Sequence, residues 1–518
     1  MSSLRDELIA RSKLASELFV QPLGWEALRD RAQQVTALPA ATIDVIESSQ
    51  EHLARDESRE AAIEKLRSGA AVIVTGQQPG LLGGPTLVDF KIATALVLAR
   101  DLDAIGLPCV TIFWNASEDH DLDEANRIFL RRTQREQTNL ARLDFPQDRK
   151  ALHRVLLGDE HRRALQNLFA ESGEQLGSER ELPRNCENLG EWMSRVLAER
   201  FAGQGLLVVE PRQLFKLGSD LVRKAACEAE IFQNLFETQT KKIEAAGFGR
   251  QIEPTSSEQT WLFVDHPQGR KRLRRSGGGF VFGDNKISNF NDLEETLQAE
   301  GANFSCSAHL RPLFQQQVLG PIAQVSGPAE IAYAAQLQTL FSELNLEAPM
   351  LWPRFSGAWI SMREAETLKS LGIEEQQVFD GSLEEVLKTK AQEFDWPPGW
   401  HRRQEQLSTH RQRYLAANAE PADRNDELTT ALASYLASEA KAFTNFNKKL
   451  EKLHRRLNRE NLSRLTKIGE SLRPKGQDQD RIRSLACYPG AGNKLVKKLL
   501  RQLDPKDHQP RLVLFDEP

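Results

Sequence analysis

Val72-Ile73-Val74-Thr75-Gly76-Gln77-Gln78-Pro79-Gly80-Leu81-Leu82-Gly83-Gly84-Pro85 is a short β-branched run that breaks into a glycine-rich turn and ends on a proline. Such a run reads as a strand, the glycines allow a tight turn, and proline favours the first helical position, so a helix is predicted to start near Pro85. Cys109–Trp114, Leu206–Val209 and Ile322–Val325 are further continuous apolar runs, with helical stretches between them. That alternation predicts an α/β fold whose parallel-sheet core is covered on both faces.

Around this core the chain changes character. Residues 1–69 carry apolar positions at helical spacing and form a helical segment expected to pack on the core. The core spans 70–360, with a charged, mainly helical insertion at about 127–200 and a second at about 228–303. The second ends in a predicted hairpin, Trp261–Val264, a turn at His266–Gly269, and the basic strand Arg270–Arg275, read as solvated. Beyond Arg354 the chain turns charged and helical, giving an arm over 361–470 and a final segment, 471–518, that returns to the core. In the arm, Phe443, Phe446, Leu450, Leu453 and Leu457 recur at spacings of 3, 4, 3 and 4, a coiled-coil seam. The seam is short, which favours an antiparallel hairpin with His401–Ala416 as partner across a break near Pro421.

Composition excludes several function classes. A net charge of −5 over 518 residues gives no general affinity for nucleic acid or anionic lipid. No apolar run approaches the roughly 20 residues that cross a bilayer. Met1–Val20 interleaves charges with apolar positions, unlike a signal peptide. Cys109, Cys186, Cys227, Cys306 and Cys487 are scattered, against a disulfide framework or zinc knuckle, so the cytoplasm is the expected compartment.

The unusual polar stretches follow the apolar strands, and in a parallel sheet the strand C-termini share one edge. One cleft is therefore predicted from Thr75–Gly80, Asn115–Glu124 and Ser326–Glu330. In the first stretch, which opens on the candidate binding residue Thr75, Gly76 and Gly80 let backbone approach a ligand, and Gln77 and Gln78 orient polar groups. It is neither a Walker A loop nor a Gly-x-Gly-x-x-Gly fingerprint. In the second, Glu118, Asp119, Asp121, Asp123 and Glu124 surround His120 and follow Asn115. His120 is the acid/base candidate, with Asp119 or Asp121 orienting it; the carboxylates also suit Mg²⁺ on a bound nucleotide. In the third, Ser326, Gly327 and Glu330 open a helix, and upstream Arg311 is a candidate clamp for carboxylate or phosphate. No Gly-x-Ser-x-Gly, His-Glu-x-x-His or Cys/His nucleophile arrangement supports a hydrolase.

These residues, taken in order, resemble the cysteine-adding enzyme (cysteine ligase) family of bacillithiol biosynthesis. The resemblance rests on Thr75–Leu82 with Gly84-Pro85 and Lys91, on Phe113-Trp114 through Glu118–Asp121 and Glu124, and on Leu310-Arg311-Pro312-Leu313. It continues through Gly327–Tyr333, Gln336-Leu337 and Pro353-Arg354, with a weaker echo at Leu472–Gly476. Gly83, Phe90 and Ser307 depart from the family's usual residues. The resemblance implies a Rossmann-like core, a helical coiled-coil domain used for homodimerisation, and a ligase forming a carbon–nitrogen bond between L-cysteine and the amine of glucosaminyl malate. It also implies activation by ATP or another nucleotide, with Mg²⁺. Rival readings are a nucleotidyl-transferring enzyme, disfavoured by the lack of His-x-Gly-His, and a non-catalytic dimeric metabolite-binding scaffold.

Overall fold

The computed structural model describes residues 3–132, 137–146, 148–172, 187–256, 258–393, 400–419, 426–485, 488 and 492–515. Cys186, Cys487 and the break near Pro421 lie outside them. The chain divides into two compact units, Met1–Met362 with Gln477–Pro518, and Arg363–Gly476.

The first unit is built on five parallel strands: β1 (Ala71–Gln77), β2 (Cys109–Asn115), β3 (Leu207–Val209), β4 (Ala323–Ser326) and β5 (Met350–Pro353). Their spatial order is β3-β2-β1-β4-β5, and every neighbouring pair is parallel. The chain builds outward from β1 on one side, then crosses over to β4 on the other. That order is the Rossmann arrangement, with its topological switch point between β1 and β4. The strands are mainly apolar along their length, with polar residues gathered toward their C-terminal ends, because both faces are covered. Val72, Val74, Ile112 and Trp114 pack into one cluster, whereas Ala71, Ile73, Ala323 and Val325 join another with helix α1 (Leu87–Asp103). The helices of residues 4–33 cover that second side, through Leu4, Leu8, Leu18 and Leu28.

The insertions differ in part from the sequence reading. Residues 127–200 are not mainly helical at their start: Arg127–Arg132 and Gln137–Arg142 form an antiparallel hairpin before the helices Asp159–Ser172 and α2 (Leu189–Arg200). The second insertion closes with a five-stranded antiparallel sheet, ordered 303–306, 259–266, 269–276, 279–282, 285–287. Two short strands beyond Arg354 were not anticipated. Gly357–Ser361 pairs in parallel with Arg511–Phe515, near the end of the chain. Gln479 staples this region, accepting from Trp359 N at 2.6 Å and donating to Trp359 O at 2.9 Å.

The second unit is helical, its longest helices being Trp400–Ala419 and Asp426–Leu457. Arg411 stacks on Phe443 at 4.5 Å, so the two helices touch at the seam. Phe446, Leu453 and Leu457 of the same seam remain exposed. No described helix is long and apolar enough to cross a membrane.

Candidate functional site

The glycine-rich loop after β1 is held by a buried ion pair. Arg200 of α2 donates to Leu82 O at 2.7 Å and pairs with Asp89 at 2.9 Å, both side chains at 0% exposure. Leu82 and Gly83 have φ of 52° and 82°, and a Cβ on Gly83 would lie 2.6 Å from the Arg200 guanidinium. Glycine at 83, one of the departures noted above, is thus what leaves room for Arg200. Thr86, just ahead of α1, is tied to Arg483 O through both its backbone N and its Oγ1.

Two cavities open at the C-terminal edge of the sheet. The first, about 430 Å³, sits at the switch point between β1 and β4. From the predicted set it takes Gly76, Gln77, Gln78, Arg311, Gly327 and Glu330. It adds Lys91, Trp114, Tyr333, Arg354 and Arg481, none of which the sequence had singled out for a role. Lys91 is buried, its ammonium bonded to Gly76 O (2.9 Å), Gln77 Oε1 (2.7 Å) and Glu330 Oε2 (2.7 Å). Burial pushes its pKa down, against the pull of Glu330. Glu330 also accepts from Gly327 N at 2.6 Å, closing the first turn of the helix Pro328–Ala335. Arg354 is fixed by buried Asp480 at 2.6 Å. The Trp114 Nε1–H is buried with no acceptor among the described residues.

The second cavity, about 350 Å³, is lined by Asp119, His120 and Asp121 and touches the first through Gln78 alone among their lining residues. The single predicted cleft is therefore two cavities. The wall between them is a hydrogen bond, Gln78 Nε2 to Asp119 Oδ2 at 2.6 Å.

Asp119 is the hub. Its Oδ2 also accepts from Arg311 Nη2 at 3.2 Å, and its Oδ1 from Arg270 Nη1 at 3.3 Å and His120 N at 2.7 Å. Burial opposes its ionisation, but the His120 hydrogen bond and the Arg311 and Arg270 guanidiniums outweigh that and hold its carboxyl well below the usual carboxylate range. With its lone pairs engaged, Asp119 orients rather than accepts protons. His120 Nδ1 lies 3.5 Å from Asp119 Oδ1, and its Nε2 meets Arg149 Nη2 at 3.2 Å.

Arg270 corrects the reading of its strand as solvated. It is 7% exposed, donates to Ser305 Oγ (2.9 Å) and Cys306 O (2.6 Å), and stacks on Phe263 at 4.1 Å. The antiparallel sheet thereby grips the loop after β2. A second grip comes from buried Asp265, which meets His153 Nε2 at 3.0 Å and Arg154 Nε at 2.8 Å, while His153 N donates to Ser117 O at 3.0 Å. Burial raises the Asp265 pKa, but His153 and Arg154 outweigh it and hold the carboxyl below its usual range.

Glu124 also lines the first cavity and Asp123 the second, whereas Thr75, Gly80, Asn115, Glu118 and Ser326 line neither. Thr75 Oγ1 donates across the sheet to Val325 O at 2.9 Å, and Asn115 Nδ2 donates to Gly190 O and Ser194 Oγ, each at 2.8 Å. Gly80 packs against Gly84, and the Ser326 hydroxyl is buried without a partner among the described residues. Glu118 is 1% exposed beside Arg311 Nε at 3.5 Å, and burial pushes its pKa up against the pull of Arg311 and Arg270.

Depressed carboxylates predict acid lability of this region. Asp119 and Asp265 release protons more readily folded than unfolded, so the unfolded chain binds more protons as pH drops below about 4. Their contribution is present above that pH and lost as pH falls through their folded pKa values. Melting temperatures between pH 5 and 2 should fall more shallowly for Asp265→Asn than for the wild type; parallel curves would refute the assignment.

Comparison with known proteins agrees with this architecture. Residues 8–355 match the family model described as "Bacillithiol biosynthesis BshC, N-terminal Rossmann-like domain", and residues 359–515 that described as "Bacillithiol biosynthesis BshC, C-terminal coiled-coil domain". The protein named "Putative cysteine ligase BshC" of Koribacter versatilis is 30% identical over 413 residues, covering 78% of this chain and 75% of that one. One of the same name from Bacillus anthracis is 24% identical over 488 residues, covering 89% and 88%. A Rossmann-order sheet with a helical unit, matched along nearly its whole length, places this chain in the bacillithiol-biosynthesis BshC family.

Proposed function

We propose that this chain joins the carboxyl group of L-cysteine to the amine of glucosaminyl malate, forming an amide in bacillithiol biosynthesis. The observation that carries the reading is the first cavity. Lys91, Arg311, Arg354 and Arg481 line its wall, the first three already held by carboxylates and Arg481 half-exposed, and among the described residues the buried Trp114 N–H has no acceptor. A ligand rich in anionic oxygen supplies what that wall lacks. Malate carboxylates and nucleotide phosphates both have that chemistry, and Arg311, Arg481 and the Gly327–Glu330 turn would hold them. ATP, when bound, supplies the leaving group that an unactivated carboxylate does not have.

Among the described residues no group of three or more His, Cys, Asp or Glu is arranged to hold a metal. Mg²⁺ would therefore be held chiefly by the phosphates of the nucleotide. His120 takes the proton of the attacking amine, with Nδ1 directed at Asp119 and Nε2 toward the second cavity. Asp119, Gln78 and Arg270 orient it. The exposed row Phe446, Leu453 and Leu457 supports self-association through the helical arm, making a homodimer.

The test is mass spectrometry of purified protein with glucosaminyl malate, L-cysteine, ATP and Mg²⁺. The cysteinyl adduct should form, and omission of ATP should abolish it. Folded protein that gives no adduct would overturn the substrate assignment. His120→Ala should lower turnover about 10²–10⁴-fold with an unchanged circular dichroism spectrum. Near-normal turnover would remove His120 from the catalytic role.

A further inference from the structure

We propose that the second cavity is the subsite for a free α-amino acid, which binds with its carboxylate on Arg149 and its ammonium on Asp121. The inference rests on the ligase reading above for the identity of the amino acid, L-cysteine, and on the structure for the rest.

The two cavities share one sheet edge and are divided by the Gln78–Asp119 hydrogen bond, so two small molecules can be held side by side. Their charge differs. Cations outnumber carboxylates on the first wall, whereas on the second Asp119, Asp121, Asp123 and Asp148 stand beside Arg149 and Lys150, so both signs are at hand for a zwitterion. Within the second, Lys150 pairs with Asp148 at 2.7 Å and Asp123 with Arg142 at 3.4 Å. That leaves Arg149 and Asp121 without an ionic partner among the described residues. Arg149 instead points its guanidinium at His120 Nε2, 3.2 Å away. Among the described residues the Asp121 side chain accepts only from Glu124 N, at 3.3 Å, as the cap of the turn Leu122–Ala125.

The backbone of Arg149 is also held in place: it is left-handed, with φ of 53°, and its carbonyl accepts from Arg270 N at 2.9 Å. A non-glycine residue in that conformation persists where its surroundings impose it. A carboxylate bound to Arg149 therefore lies beside His120, where amide formation would need it. The volume, about 350 Å³, admits a three-carbon amino acid with water.

Calorimetric titration of the full-length protein under reductant, with L-cysteine, cysteamine and L-malate, tests the subsite. Arg149→Ala, at an exposed position, should weaken L-cysteine at least tenfold. It should leave cysteamine, which has no carboxylate, and L-malate unchanged. Asp121→Asn, which preserves the cap, should weaken L-cysteine and cysteamine alike. The subsite is overturned if wild-type protein does not bind L-cysteine, if Arg149→Ala binds it normally, or if that variant weakens cysteamine equally. It is also overturned if L-cysteine binding survives Arg149→Ala but is lost in Arg481→Ala, which would place the amino acid in the first cavity and spare the ligase reading. Arg149-dependent binding of L-cysteine without adduct formation would instead uphold the subsite and sink the ligase reading.

Discussion

Asp119→Ala is expected to abolish adduct formation and to destabilise the core by about 3–5 kcal/mol, the cost of breaking a buried charge pair from one side. Arg270 is nearly inaccessible and Arg311 largely so, and both meet the carboxylate. Removing it leaves two guanidiniums 3.2–3.3 Å from where their shared partner was. Arg311 retains Glu118 and Arg270 retains Ser305 and Cys306, so a folded protein should survive at lower stability. Loss of turnover follows by a separate route. Asp119 orients His120 and receives Gln78, so both the proposed base and the wall between the cavities lose their anchor. Denaturant midpoints and the adduct assay read the two effects independently. Wild-type values in both would show that Asp119 is dispensable, and the description of the site as a hub would fail.

Arg200→Met should be nearly as damaging to stability, again about 3–5 kcal/mol, because it strands Asp89 in the core. Burial already pushes the Asp89 pKa up against the pull of Arg200, and its Oδ2 has no hydrogen-bond partner. The double variant Arg200→Met/Asp89→Leu should recover most of the loss, since apolar replacement of a buried pair is often neutral. Leu82 O would still accept from Ser484 Oγ at 3.0 Å. Thermal denaturation of the three proteins decides the matter. A double variant no more stable than Arg200→Met would mean that Arg200 acts chiefly by tethering the glycine-rich loop.

What the sequence made legible follows from what each signal depends on. β1, β2, β3 and β4 were visible because strands buried on both faces read as continuous apolar runs, and the loops after β1, β2 and β4 were placed together by strand direction alone. Met350–Pro353 escaped notice, being four residues long and ending in proline. Gly357–Ser361 escaped because its partner lies near the other end of the chain. Arg270 illustrates the harder failure. It shares a strand face with Arg272 and Arg274, both exposed, so period-two alternation carries no sign of its burial. Its burial is set by Asp119, 151 residues away. Lys91 enters the sequence reading only through the family resemblance, and its place in a mostly apolar stretch of helix, Phe90–Leu98, is the local signal of its burial. Thr75 and Asn115 show the converse, since polar residues at a strand end serve the sheet as readily as a ligand, and the hydrogen bonds of these two run to neighbouring backbone and to Ser194 Oγ.

The pairing of Gly357–Ser361 with Arg511–Phe515 bears on the order of events during synthesis. The whole helical unit, Arg363–Gly476, is translated between these two strands. A nascent chain on the ribosome thus carries a nearly finished Rossmann sheet while Trp359, at 0% exposure in the completed protein, still waits for Gln479 and the final strand. Folding of the core is gated by elongation, and premature termination after the arm would release a protein with an open strand edge and uncovered aromatic surface, prone to aggregate.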